Sequence, residues 1–171
     1  MDEAEPLRDF ITNRSAALLR TAYLLVGDRA HAEDLLQTAL IKTYLAWSRI
    51  RDPGALDAYV RRTMATTAIS WWRGRRFHER AAEQLPDRAD DDPVGPRIER
   101  DAMWAHLRAL PPRQRAVLVL RYYEGLSEAE IAETLGLSRG TVKSHAARAL
   151  ATLRARLATE LSIDNDKGVR A

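Results

Sequence analysis

A short run near the end of the chain carries side chains suited to binding nucleic acid. If the segment Ser138–Leu150 is helical, its cationic, hydroxyl and imidazole groups face away from the apolar Val142. Arginine and lysine suit phosphates and guanine edges, whereas serine and threonine suit phosphates or bases. The pattern predicts a DNA-binding surface formed by Ser138, Arg139, Thr141, Lys143, Ser144, His145 and Arg148.

Two short helices joined by a tight turn would position this surface. Ser127 and Glu130 have the spacing of a capping box, which predicts a first helix ending near Leu135. Gly136 can then end this helix in the left-handed conformation, and Ser138 can cap a second helix. This is the helix-turn-helix layout, whose second helix enters the major groove. A hairpin that only packs against another element would not need so many exposed cationic or titratable groups.

A second candidate surface lies in the segment Asp57–Arg76. Val60, Met64, Ala68 and Trp71 recur with helical spacing and predict its buried face. The other positions mix basic, aromatic and hydroxyl side chains, which suits the phosphates and unstacked bases of single-stranded nucleic acid. The alternative is a tryptophan pair in the core and a solvated, basic helix end favoured by the helix dipole. The candidate residues are Arg61, Arg62, Thr66, Arg73, Arg75 and Arg76.

A third candidate surface lies on the helix predicted at about Arg29–Trp47. Its apolar stripe is predicted to contain Leu36, Ala39, Leu40, Thr43 and Tyr44. Beside that stripe, Asp34, Gln37 and Ile41 lie near one face, with Lys42 next to them. By pattern alone, the simpler interpretation is the solvated edge of an amphipathic helix.

Composition excludes several classes of protein. The chain has no cysteine, which excludes disulfides, iron–sulfur clusters and zinc fingers. Its four histidines are scattered, and we find neither metal-ligand spacing, nor a phosphate-binding glycine loop, nor a nucleophile elbow. We therefore predict no metal, no cofactor and no enzyme activity. No apolar run is long enough for a membrane span, and the acidic N-terminus lacks a signal-peptide region, so we predict a cytoplasmic protein.

The spacing of apolar residues predicts an all-α fold of two small helical domains. Helical periodicity fills residues 1–80 and 97–158, and no alternating β-branched run is present. Residues 81–96 lose this periodicity and are rich in Asp and Pro, which predicts a flexible acidic linker. The polar residues 159–171 are predicted to be a disordered tail. Two basic blocks separated by an acidic spacer favour two contacts with nucleic acid.

Both halves resemble the bacterial RNA polymerase sigma factors, in particular the small extracytoplasmic-function type. The segment AEDLLQTALIKTYLAW resembles the helix of sigma region 2 that binds the β′ clamp of core polymerase. The segment Asp57–Arg76 resembles the part that melts and reads the −10 promoter element. The string PPRQRAVLVLRYYEGLSEAEIAETLGLSRGTVKSHAARAL resembles sigma region 4, which reads the −35 element. Within the family, the pattern is most similar to an actinobacterial, sigma-E-like subgroup.

The resemblance implies roles for each candidate surface. It implies that Asp34, Gln37, Ile41 and Lys42 bind core RNA polymerase at the β′ clamp, while the second domain reaches the β flap. Arg61, Arg62 and Thr66 would face −10 DNA, and the loop Trp47–Leu56 would help to hold a flipped-out base. The protein would thus be a sigma factor that directs promoter-specific initiation. An anti-sigma factor is a further partner that the resemblance suggests, and no membrane partner is expected.

The chain departs from the family pattern in a few places, and a second interpretation stays open. His145 stands where many relatives have arginine, which implies a weaker, pH-sensitive contact. The aromatic cluster of larger sigma factors is reduced to Tyr59, Trp71 and Trp72. The alternative is a LuxR-like regulator with a similar helix-turn-helix, which would bind duplex DNA without joining polymerase. It predicts alternating strands and helices in residues 1–80. A helical adaptor would lack the basic recognition helix.

Overall fold

The computed structural model describes residues 4–50, 52–75 and 97–169 of the chain. Within these ranges the structure is helical and contains no β-strand. The α-helices are α1 (Glu5–Val26), α2 (Arg29–Ala46), α3 (Leu56–Arg75), α4 (Arg97–Arg108), α5 (Pro112–Leu118), α6 (Glu128–Leu135) and α7 (Arg139–Val169). The predicted all-α fold is therefore confirmed for the described residues.

Helices α1 to α3 form a bundle whose turns follow from local sequence. Gly27 ends α1 with φ 90°, a conformation that favours glycine, and its N–H donates to the carbonyl of Tyr23. The side chain of Asp28 then caps α2 by accepting a 2.9 Å hydrogen bond from the backbone N–H of His31. This cap fixes the sharp reversal that lays α2 against α1.

The loop between α2 and α3 contains two short 3-10 turns, Trp47–Arg49 and Pro53–Ala55. Asp52 caps the second turn by accepting a 2.9 Å hydrogen bond from the backbone N–H of Gly54. The face of α3 predicted to be buried is confirmed at Val60, Met64 and Ala68, which are almost completely inaccessible to solvent. The opposite face of α3 is thereby left for contacts outside the bundle.

The helix-turn-helix has the predicted capping. The Ser127 hydroxyl accepts from the N–H of Glu130, and the Glu130 carboxylate accepts from the N–H of Ser127 at 2.7 Å. These hydrogen bonds hold the pKa of the Glu130 carboxyl below its usual value. Gly136 ends α6 with φ 65°. Ile131 and Val142 pack with Val117 and Leu120 in a small apolar core, which orients α7.

The two halves of the chain share a second, larger apolar core. Leu18, Leu35, Val60 and Met64 from the first half belong to it, as does Leu118 from the second half. A π-helical segment, Val119–Tyr123, follows α5, and both α5 and this segment contact α1 or α3. The second half therefore lies directly against the three-helix bundle.

Two expectations from the sequence are wrong, and a third concerns residues that the structure does not describe. Tyr44 was placed in the apolar stripe of α2 but is exposed, because the stripe ends one position earlier at Thr43, which is buried. Residues 159–169 were expected in a disordered tail, but α7 continues to Val169. The helix has no residue that would stop it before Gly168, and Glu160 lies 3.5 Å from His106. The linker 81–96 lies outside the described residues.

Two kinds of feature are absent from the described residues. None of the described helices combines the length and apolar character needed to span a bilayer. In the same part of the chain, no group of three or more His, Asp or Glu side chains is placed to hold a metal ion.

Candidate functional site

The recognition helix α7 presents most of its predicted DNA-binding side chains to solvent. Arg139, Lys143, Ser144 and Arg148 are all exposed. Ser138 is the N-cap of α7, because its hydroxyl accepts a hydrogen bond from the N–H of Thr141 at 3.1 Å. The hydroxyls of Ser138 and Thr141 also lie 2.8 Å apart. The open cationic face is therefore formed by two arginines and a lysine, and its first turn is held rigid.

His145 lies at the edge of this face and is partly buried. Its Nδ1 is shielded from solvent and has no hydrogen-bond partner in the described part of the chain. Desolvation, followed by the nearby positive charges of Arg113 and Arg148, lowers the pKa of His145 below 6.5. The lowered pKa favours the neutral imidazole, so His145 contributes less positive charge to this face than an arginine would.

We expect this histidine to make the fold less stable in acid. Because the pKa of His145 is lowered in the folded state, the unfolded chain binds the extra proton first as the pH falls through 6.5. The free energy of unfolding should therefore drop below pH 6.5, until the folded-state pKa is passed. The free energy of unfolding of His145→Gln should drop less over the same pH interval. Urea unfolding of both proteins on either side of pH 6.5 measures this, and parallel pH profiles would contradict it.

On α3, the candidate −10 residues are not equally accessible. Arg62, Thr66 and Arg73 are exposed, whereas only 15% of the Arg61 side chain is exposed. The guanidinium of Arg61 donates to Asp57 on its own helix, and its Nε lies 3.2 Å from the carboxylate of Glu124. Of the two remaining candidates, Arg75 has no described side chain and Arg76 lies outside the described residues. The structure thus brings Arg61 to an acid of the second half.

A groove of about 630 Å³ separates this part of α3 from α6. On one side it is lined by the loop after α2 and by α3, including Arg49, Tyr59 and Arg62. On the other side it is lined by α6, including Glu130 and Glu133. One wall of the groove is mainly basic, with Arg49, Arg61 and Arg62 beside Asp52. The other wall is acidic, with Glu130 and Glu133.

The four residues of the third predicted surface, on α2, are all exposed. Asp34, Gln37 and Ile41 line one groove between α2 and α3. Lys42 points elsewhere, because its Nζ donates to the Thr67 hydroxyl at 3.2 Å. The apolar part of this face is larger than predicted, and the exposed fractions are 60% for Ile41, 62% for Tyr44 and 71% for Leu45. An exposed apolar patch is typical of a surface that binds another macromolecule.

Sequence reasoning missed three residues that join the two halves. Glu124 accepts hydrogen bonds from Thr21 and Arg61. The Tyr123 hydroxyl accepts from Arg20 Nε at 3.2 Å. Arg115 is 2% exposed and donates to the carbonyl of Leu25. No local pattern distinguishes these side chains from solvated ones. The sequence also carried no sign that Leu45 is exposed beside Ile41, because apolar residues at helical spacing predict a buried stripe.

Family models match both halves of the chain. Residues 10–78 match the family described as Sigma-70 region 2, and residues 100–153 match Sigma-70, region 4. The chain is 46% identical to the RNA polymerase sigma-E factor of Streptomyces avermitilis, over 91% of this chain and 87% of that protein. It is 32% identical to the ECF RNA polymerase sigma factor SigL of Mycobacterium tuberculosis, over 89% of each.

Solved structures with the same fold are also known. One is the sigma factor RpoE from Bartonella quintana, in complex with the anti-sigma factor NepR. Its TM-score is 0.69 at 23% identity, covering 88% of this chain and 96% of that one. Another is CnrH in complex with the cytosolic domain of CnrY, with a TM-score of 0.65. The strands required by a LuxR-like first half are absent from the residues described between 4 and 75.

Proposed function

The chain belongs to the sigma-70 family of RNA polymerase sigma factors, in the extracytoplasmic-function class, and we propose which of its surfaces bind promoter DNA and which bind core polymerase. Sigma factors of this class bind core RNA polymerase and promoter DNA and direct the initiation of transcription. We propose that residues 1–80 act as region 2 and residues 97–158 as region 4, joined by 81–96. The observation that carries the division is the open basic face of α7, separate from the open apolar face of α2.

The face of α7 is proposed to read the −35 element in the major groove. Arg139 stands at the start of the helix, where recognition helices contact base edges. Lys143, Ser144 and Arg148 follow at helical spacing and suit phosphates. Ser138 and Thr141 are occupied with the cap, so they act mainly by fixing the direction of the helix axis.

Replacing Lys143 should reduce the salt dependence of DNA binding. If Lys143 neutralises one phosphate, Lys143→Ala should flatten the slope of log K against log salt by about 0.9. Binding of holoenzyme to a promoter fragment, titrated over several salt concentrations, measures the slope. Arg154→Ala removes a positive charge from an exposed position farther along α7 and is the matched control. An unchanged slope for Lys143→Ala would remove this residue from the contacts.

The first half is proposed to bind the −10 element and core polymerase. Arg61, Arg62, Thr66, Arg73, Arg75 and Arg76 are the proposed contacts to the melted strand. The loop Trp47–Leu56 would hold a flipped base beside Tyr59, at the basic wall of the groove. The apolar and acidic face of α2 is proposed to dock on the β′ clamp, and region 4 on the β flap.

Three further points belong to the proposal. Bond formation would be carried out by the polymerase, and this chain would contribute no catalytic group. The protein would work in the cytoplasm, where core polymerase transcribes. Because the two solved relatives are complexes with NepR and with CnrY, an anti-sigma factor is proposed for this chain as well.

Run-off transcription tests the proposal directly. Purified core RNA polymerase would be supplied with promoter fragments from the source genome, with and without the full chain. Transcripts that start at defined sites only when the protein is present are the expected result, and their upstream sequences would identify both elements. Retention of duplex DNA by the protein alone, with no binding to core polymerase, would instead support the LuxR-like alternative.

A further inference from the structure

The later part of α7 extends beyond the proposed DNA-binding face and presents an apolar stripe to solvent. Leu157 is 46% exposed and Leu161 is 71% exposed, and their spacing of four residues places them on the same side of the helix. Leucines that recur with helical spacing are ordinarily buried against another element. Within the described part of the chain, most of this stripe is left uncovered.

A neighbouring side of the same segment is fixed to the rest of the chain. Arg156 donates to the carbonyl of Ala105 at 3.4 Å, and the carboxylate of Glu160 lies 3.5 Å from Nε2 of His106. Both contacts reach the end of α4, so they determine which side of α7 faces outward. The exposed leucines therefore lie on a supported stretch of helix.

Charged residues flank the stripe in a self-complementary order. Arg154 lies three positions before Leu157, and Asp164 lies three positions after Leu161. The four residues follow one another at intervals of three, four and three positions, which is the spacing that keeps side chains on one seam between two paired helices. Both charged side chains are exposed. The seam therefore begins with a positive charge, continues with two leucines and ends with a negative charge.

An antiparallel second copy of the chain matches every position of this seam. When Leu157 of one copy lies opposite Leu161 of the other, twofold symmetry places Arg154 opposite Asp164 at both ends. A parallel second copy would instead place arginine against arginine and aspartate against aspartate, which is unfavourable. An unrelated apolar helix would cover the leucines but would offer no partner to the two charges.

We propose that residues 154–164 of α7 are a self-association surface that pairs two copies of this chain in an antiparallel arrangement. The leucines exclude water from the centre of the seam, and the charges at its ends select the direction and the register. Three helical turns bury less than the about 1,200 Å² of a stable interface, so the pair is weak and forms at high local concentration. It is dissociated in a dilute DNA-binding titration, where Arg154→Ala remains a control. Residues 139–148 lie outside the seam, so this inference does not depend on the proposed −35 role.

Exchange of the two charges tests the register. Arg154→Asp alone or Asp164→Arg alone places like charges together at both ends of the antiparallel pair, so each variant should self-associate about tenfold more weakly than the wild type. The double variant carries both substitutions, keeps the net charge of the chain and should recover wild-type association. Sedimentation velocity of the full chain over a wide range of concentrations measures the dissociation constants. Single variants that associate like the wild type, or a double variant that does not recover, would overturn the antiparallel pair.

A leucine variant and a matched control test the apolar stripe. Leu161→Gln removes an exposed apolar side chain from the seam, whereas Ile163→Gln removes one that lies about 200° around the same helix. Association should weaken about tenfold for Leu161→Gln, which loses apolar area at the centre of the contact, and should not change for Ile163→Gln. Both positions are exposed, so far-UV circular dichroism of both variants should match the wild type. Equal losses in the two variants, or a wild-type protein that stays monomeric at the highest concentration, would overturn the proposal.

Discussion

Arg115→Ala should destabilise the protein by about 3–5 kcal/mol, far more than the loss of an ordinary surface arginine. The guanidinium donates to the carbonyls of Leu107, Leu110 and Leu25, at distances of 3.0 to 3.2 Å. With the side chain 2% exposed, water cannot replace these donors without entering the core. The truncation would therefore leave buried carbonyls unsatisfied as well as a cavity.

The rings around Arg115 add to the expected loss. Its guanidinium carbon lies 4.3 Å from the ring centre of Trp72 and 4.9 Å from that of Trp104. Trp104 in turn packs on Gly27, where an added Cβ would come within 1.9 Å of the indole. Arg115 therefore stabilises a junction between the end of α1, α3 and the start of the second half.

Urea unfolding followed by far-UV circular dichroism gives the measurement. Arg115→Met, which restores much of the volume but none of the donors, should recover only part of the stability lost in Arg115→Ala. Arg108→Ala, at an exposed position of α4, should change the free energy of unfolding by less than about 0.5 kcal/mol. Separate transitions for the two halves in Arg115→Ala would agree with its place at the junction. Wild-type stability for that variant would contradict the account.

The local parts of this fold could be predicted because each is encoded within a few residues. The Asp28 cap, the capping box at Ser127 and the left-handed Gly136 depend on neighbours no more than four positions away. The buried stripe of α3 follows from helical spacing alone. The exposed positions of α7 follow from the same spacing once Val142 is assigned to the core.

The contacts between the two halves could not be predicted in this way. Glu124 is 63 positions from Arg61 and 103 from Thr21, and periodicity carries no information about such pairs. Arg115 looks in sequence like any cation near a helix start, and its burial depends on carbonyls supplied by the ends of other helices. The sequence therefore indicated two domains and two DNA contacts, without indicating how the second half packs on the first.

The accessibility of the proposed −10 residues also depends on contacts that the sequence pattern does not indicate. Arg61 and Arg62 are neighbours in sequence and were assigned one role, but Arg61 is paired within the protein whereas Arg62 is exposed. The difference comes from the helical rotation of about 100° between consecutive residues, which turns Arg61 toward the second half. A residue's type and spacing identify a surface, whereas tertiary contacts decide when that surface is available.

Replacing Asp34 and Ile41 together by alanine should weaken binding to core RNA polymerase about a hundredfold, because a few central residues carry most of the energy of an interface. Both side chains line the groove between α2 and α3, and Ile41 is 60% exposed. Each lies where it contributes little to the core, so the stability of the free protein should change by less than about 0.5 kcal/mol.

The chain offers a control of identical composition. Ile163 and Asp164 are an exposed isoleucine and an exposed aspartate on α7, and their double alanine variant should bind core polymerase like the wild type. Fluorescence anisotropy of the labelled full chain, titrated with core polymerase, compares the variants. Equal losses in the two double variants would mean that exposed apolar area alone drives binding. A loss confined to the Asp34 and Ile41 variant would assign the contact to α2, where both side chains line the groove between α2 and α3.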